Sequence, residues 1–296
     1  DVKPIDFENM ETVNSGIKTL DKRIGGFVMS NVTVWTGDNG SGKSTMLGQV
    51  AMLEAIEQGY KVCAYSGELA ASWFQRWINL QAAGKKHITT YVDNRTGREI
   101  EKIDDDVNER IKKWYNGKFY LFDNTAINRS DENPILRAFK YALARYDCKV
   151  FIVDNLMTAD FAGINESDFY RKQSKFVGEL IRFAKKYNVH VHLVAHPRKT
   201  QDNISKNDIA GSGEITHRVD TVLVVDNLSE QGEVDFNASV KILKNRLFGI
   251  MGEKIALDFD YNSKRFYEPK DNLLLYKKYG WENEREILDY NKNEPF

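Results

Sequence analysis

The chain has 296 residues, 42% of them hydrophobic and 29% charged, an ordinary balance for a soluble globule that suits one large α/β domain or two small ones. Net charge is −1, from 42 Lys and Arg against 43 Asp and Glu, so bulk charge does not point to nucleic acid, and any such contact needs a local basic stripe. No apolar run reaches the length of a membrane span and no signal-peptide pattern is present, so a soluble protein with no membrane partner is expected.

Residues 1–14 are polar and irregular and read as a linker or arm. The chain begins at Asp1, not methionine, which fits a piece cut from a longer protein. Strands are predicted at 32–36, 61–66, 118–122, 149–153, 189–195, 221–225, 238–245 and 253–259, and helices at 43–58, 69–82, 104–115, 134–146 and 169–187. Their alternation implies βαβ crossovers and a mostly parallel central sheet flanked by helices. From 221 onward strands follow one another directly, which predicts antiparallel strands at the C-terminal edge. Residues 270–296 read as a tail carrying Tyr276, Tyr279 and Trp281. Cys63 and Cys148, the only two cysteines, fall in apolar strand-like runs, so buried free thiols in a reducing compartment are expected.

Gly37-Asp38-Asn39-Gly40-Ser41-Gly42-Lys43-Ser44, with Thr45 following, fits G-x-x-x-x-G-K-[ST] between a predicted strand and a predicted helix. The glycines let the backbone turn its N–H groups inward as an anion nest. The helix N-terminus adds its dipole, Lys43 can reach the β- and γ-phosphates, and the Ser44 hydroxyl can ligate Mg²⁺. A nucleoside triphosphate is therefore the expected ligand, with ATP the default.

Lys149–Asp154 is an apolar strand ending in an acid, the pattern in which the Asp holds Mg²⁺. Asn155 follows it, so a base for hydrolysis must come from elsewhere. Ser66-Gly67-Glu68 closes the 61–66 strand. Ligands of open α/β sheets sit beyond the carboxyl ends of strands, so Glu68 can face a γ-phosphate. By spacing alone it is equally an acid favoured by a helix dipole. His196 ends a third strand and is a candidate γ-phosphate sensor. His190, His192 and His196 lack a Cys or carboxylate partner at a recognised spacing, which speaks against zinc. The polar loop after His196 carries Arg198, Lys199 and Lys206, which can grip a phosphate backbone or simply be solvated. Lys244 and Arg246 are two apart, a cationic pair suited either to a γ-phosphate on a neighbouring subunit or to ordinary surface charge.

Taken in order, these motifs resemble the RecA-like ATPase domain of hexameric replicative DNA helicases, the DnaB class, with greatest similarity to the phage primase-helicase and Twinkle branch. The resemblance spans about residues 13–269. It rests on Ser15-Gly16-Ile17 with Leu20-Asp21 and Gly25-Gly26, Gly37–Thr45, Ser66-Gly67-Glu68, Val153-Asp154-Asn155-Leu156, Val194–Lys199, Asp208–Gly213 with Asp220-Thr221, and Lys244–Gly249. It implies a domain over 15–269, with Lys43 and Ser44 on phosphates and Mg²⁺, Asp154 on the metal, Glu68 as base and His196 as sensor. Arg246 would be an arginine finger acting on the next subunit, with Lys244 beside it, and Phe259 would stack on the base. Arg198, Lys199, Lys206, Gly211, Ser212 and Gly213 would fall in DNA-binding loops. His217 stands where this family often has Gln. The expected protein is a cytoplasmic motor of a bacterium or phage-infected cell, coupling ATP hydrolysis to movement on single-stranded DNA as a hexameric ring, with primase as a further partner. The family's preceding domain is not in this chain, so weak assembly and unwinding are expected of it alone. A RecA/RadA-type recombinase, a KaiC-like ring ATPase and a small-molecule kinase are the rival readings.

Overall fold

A computed structural model of the chain describes residues 6–122, 133–159, 166–196, 213–227 and 236–282. Its strands in chain order are β1 Thr12–Val13, β2 Phe27–Val28, β3 Val32–Thr36, β4 Val62–Ser66, β5 Ile88–Val92, β6 Glu99–Ile103, β7 Phe119–Phe122, β8 Val150–Asp154, β9 His190–Val194, β10 Thr221–Asn227, β11 Ala238–Asn245, β12 Lys254–Asp260 and β13 Arg265–Tyr267. Nine form one sheet in the order β13-β12-β11-β10-β3-β9-β8-β4-β7. From β10 to β7 neighbours run parallel, and β11 to β13 add antiparallel strands at the other edge. The mostly parallel sheet with an antiparallel C-terminal edge is therefore as the sequence predicts.

The helices are α1 Lys18–Ile24, α2 Lys43–Leu47, α3 Glu54–Glu57, α4 Ala71–Ala83, α5 Asp105–Tyr115, α6 Pro134–Tyr146, α7 Glu166–Tyr187 and α8 Gly213–Arg218. A π-helical segment, Gly48–Leu53, joins α2 to α3. Every residue of β3, β8 and β9 is buried, as expected for parallel strands covered on both faces. Alternate side chains serve two cores. Val150 and Ile152 pack with Met46, Val50, Phe74 and Ile111 on one face, while Phe151 and Val153 pack with Phe139, Phe176 and Leu180 on the other. Local signals set the helix ends. The Asn133 side chain accepts from Ile135 N at 2.9 Å and Pro134 opens α6, a pairing that satisfies a free N–H where proline needs none. Cys63 and Cys148 are buried free thiols, and burial pushes Cys148 up to about 12.

Some elements go beyond the sequence reading. Thr12–Val13 pairs with Phe27–Val28 and Val13 is buried, so the end of the predicted arm belongs to the fold. The β5–β6 hairpin is largely exposed and carries little apolar alternation to announce it. The start of the predicted tail is also part of the domain, because Tyr279 and Trp281 are buried in the core. Arg265 organises this segment. Its guanidinium donates to the carbonyls of Gln81, Leu274, Leu275, Lys277 and Ala82 at 2.6, 3.1, 3.1, 2.9 and 3.2 Å. Lys277 pairs with buried Glu54, and Tyr279 donates to the same carboxylate at 2.9 Å.

Candidate nucleotide and catalytic site

The parallel strands bring their carboxyl ends to one rim, where β3, β4, β8 and β9 deliver the chemical groups. The P-loop leaves β3 and turns into α2. Gly37 has φ 145° and packs so closely that a Cβ there would lie 2.2 Å from the Val225 carbonyl oxygen, so only glycine fits. Asp38, Asn39 and Gly40 are exposed, while Ser41 and Lys43 are buried. The Lys43 ammonium donates to the carbonyls of Gly37 and Asp38 at 2.9 and 2.7 Å. Burial holds Lys43 below the ordinary lysine range, opposed by the charges of Asp154, Glu68 and Asp38. The helix that follows is tied to the far edge of the sheet. Gln49 Nε2 donates to Phe266 O at 2.8 Å, Phe266 N donates to Gln49 Oε1 at 2.7 Å, and the Phe266 ring rests against Gly42. Gln81 Nε2 donates to Thr45 O at 2.7 Å.

Asp154 ends β8 and is 2% exposed. Burial pushes its carboxyl up to about 6, with the Ser44 hydroxyl and Lys43 opposing the rise and Glu68 adding to it. Asp154 Oδ1, Ser41 Oγ and Thr36 Oγ1 are buried and have no hydrogen-bond partner. Among the described residues no three His, Cys, Asp or Glu form a metal cage. An unsatisfied carboxylate oxygen beside a serine hydroxyl suits Mg²⁺, which binds through one or two protein oxygens and completes its shell with water and phosphate.

Glu68 follows β4 and reaches this rim because Gly67 crosses the turn after β8. A Cβ on Gly67 would lie 2.0 Å from Thr158 Oγ1, and Gly67 N donates to Asp154 O at 2.7 Å. His196, after β9, places Nε2 at 3.2 Å from Glu68 Oε1. Asn155 stands between them. Its Nδ2 donates to Glu68 Oε1 and lies 2.8 Å from His196 Nε2. Asn155 was not among the candidates, although its place directly after the strand-ending acid was a signal for it. Phe266 was also not among them; the short β-rich run Arg265-Phe266-Tyr267 after a polar turn could have pointed to it.

His190 and His192 are buried core groups. Burial lowers His190 to about 4 and holds His192 well below the ordinary histidine range, while His190 Nδ1 meets Val28 O at 2.7 Å and Trp35 donates to His192 at 3.1 Å. Phe259 is partly buried, with ring centroids 4.7 Å from Phe266 and 5.1 Å from the exposed Tyr261. Lys244 and Arg246 meet at the C-terminus of α8. Lys244 donates to the carbonyls of Thr216, His217 and Val219 at 2.7, 3.1 and 2.7 Å. Arg246 pairs with Asp220 at 3.0 Å and donates to His217 O at 2.7 Å, and its side chain stays 47% exposed. This gathers cations where the helix dipole is negative. Arg198, Lys199, Lys206, Gly211 and Ser212 lie outside the described residues, and Gly213 opens α8.

The family model of the DnaB-like helicase C-terminal domain matches residues 12–268. The Twinkle homolog protein, chloroplastic/mitochondrial, of Arabidopsis thaliana is 25% identical over 249 residues, which cover 81% of this chain and 34% of the relative. The chain thus spans about a third of that protein's length. Among solved structures, the ATPase domain of G40P superposes with a TM-score of 0.69 at 15% identity, covering 88% of this chain and 92% of that one. A DnaB-like replicative helicase, solved with its primase interactions in view, gives 0.70 at 17% identity over 88% of this chain and 64% of its own. A KaiC-like protein of Pyrococcus horikoshii gives 0.59 at 18% identity over 87% and 98%. These likenesses show a RecA-like ATPase fold. Among the described residues no helix is long and apolar enough to cross a membrane. With the family match covering most of its length, the chain belongs to the DnaB-like helicase C-terminal domain family.

Proposed function

We propose that this chain is the motor of a replicative DNA helicase: a ring-forming, Mg²⁺-dependent NTP hydrolase, with ATP the default nucleotide, that moves along single-stranded DNA and separates duplex. The observation that carries the reading is the convergence of Lys43, Ser44, Asp154, Glu68 and His196 on one rim of the sheet. Lys43 exchanges its loop carbonyls for the β- and γ-phosphates. Asp154 and Ser44 hold Mg²⁺, which when bound neutralises phosphate oxygens. Glu68 orients the attacking water and takes its proton. His196 reads the γ-phosphate and passes its state to Arg198, Lys199 and Lys206, which with Gly211, Ser212 and Gly213 bind the DNA. Phe259, backed by Phe266, stacks on the base. Arg246, with Lys244 beside it, leaves Asp220 and the α8 carbonyls to stabilise charge on a nucleotide held by the next copy of the chain, in a hexameric ring. Primase is the further partner, since the DnaB-like relative is described with one. Such a motor works in the cytoplasm of a bacterium or phage-infected cell.

The test is the hydrolysis rate with and without single-stranded DNA, with particle mass measured in the same buffer. Stimulated hydrolysis by an oligomer is expected. Arg246→Ala should lower the stimulated rate on the order of a thousandfold, the low end for a lost arginine finger, with the ring intact. A ring with DNA-independent hydrolysis would favour the KaiC-like reading, and a DNA-indifferent monomer would refute the motor.

A further inference from the structure

Asn155 is fully buried, and its amide has one permitted orientation. Oδ1 accepts from Met157 N at 2.8 Å and Thr158 N at 3.2 Å, so turning the amide over would break both bonds. Nδ2 therefore faces Glu68 and His196. It donates to Glu68 Oε1 and lies 2.8 Å from His196 Nε2. The other two members of the cluster are less constrained. The Glu68 side chain is 48% exposed on a bend, and His196 is 21% exposed beyond the end of its strand. The rigid member is the asparagine.

We propose that Asn155 is a positioning residue that ties the base to the sensor: one buried amide holds the Glu68 carboxylate and the His196 ring together, so that neither shifts without the other. The inference rests on the reading of Glu68 as base and His196 as sensor. Asparagine suits the task physically. An aspartate there would repel Glu68, and a glutamine would carry the donor one methylene away from the fixed turn. Hydrolysis then becomes conditional on the position of the β9 end, where the sensor sits.

Asn155→Asp is the informative variant, because its oxygens keep the bonds to Met157 N and Thr158 N while the donor to Glu68 and His196 is lost. We expect kcat to fall on the order of a hundredfold with KM within about twofold, the pattern of a misplaced catalytic group and not of lost substrate binding. Stimulation by single-stranded DNA should fall with it. His196→Ala should add little in the Asn155→Asp background, whereas a purely structural role for Asn155 would leave the two losses additive. Wild-type kcat in Asn155→Asp, or additive losses, would overturn the proposal. A wild-type protein that hydrolyses ATP but ignores DNA would overturn the motor reading instead, and the same cycle on basal kcat would still decide the role of Asn155. If no hydrolysis occurs, the His196 ring resonances decide it, since unmoved signals in Asn155→Asp would exclude the contact.

Discussion

Asp154→Asn should lower Mg²⁺-dependent hydrolysis steeply and at the same time stabilise the nucleotide-free chain at pH 7.5. Both effects come from one buried carboxylate. If Asp154 holds Mg²⁺ as proposed, losing its charge should remove several kcal/mol of transition-state stabilisation, roughly a thousandfold in rate. The stability effect runs the other way. The Asp154 carboxyl titrates at about 6 in the fold against 3.8 for the free group, mainly through burial. Between these values the folded chain binds the proton more tightly than the unfolded chain. Stability therefore falls as pH rises through that window, and the penalty is complete above it. Two units correspond to about 2–3 kcal/mol. Asparagine carries no charge and escapes this penalty. In EDTA without nucleotide the variant should melt roughly 5 °C above wild type at pH 7.5, with the gain vanishing by about pH 4. Melting at or below wild type at pH 7.5 would sink this account.

Arg265→Ala should lower the unfolding free energy by about 4 kcal/mol, the scale of removing one partner from a buried charged network. Arg265 is 1% exposed and its guanidinium binds five carbonyls drawn from the end of α4 and from residues 274–277. It also lies over the Tyr279 ring at 5.3 Å. Alanine leaves those carbonyls buried without donors and opens a cavity under Tyr279. Arg265→Lys should recover only part of the loss, because one ammonium cannot reproduce a planar fork of donors. Urea unfolding measures the change as a lower midpoint at constant slope. Residues 271–282 should become sensitive to protease in the same variant. A loss under about 1 kcal/mol, within the range of an ordinary surface substitution, would show that the segment is not held by this residue. The effect reaches the nucleotide rim, since Gln81, whose backbone carbonyl binds Arg265, also holds Thr45 O through its side chain.

Most of the elements were legible because their signals are local. The apolar run 150–153 reads as a doubly covered strand, and Pro134 after Asn133 marks a helix start. The weakly patterned pieces were not. The β5–β6 hairpin buries little, and Thr12–Val13 is two residues long. Tyr279 and Trp281 were visible as apolar residues, but not their destination, because their partners lie far back along the chain at Glu54 and Ala82.

By itself the sequence determined the phosphate-binding loop, the strand-ending acid, the order of the motifs and a mostly parallel sheet. Each of these is written within a few residues, as a glycine spacing or an apolar period. Only the tertiary structure decided which strand ends are neighbours. β3 sits between β9 and β10, and β8 between β9 and β4, so Glu68, Asn155 and His196 meet although 87 and 41 residues separate consecutive members. Crossover connections carry no register in their sequence. The pairing comes from burying both faces of the sheet at once, and that is what turned Asn155 from the residue after an acid into the centre of the site.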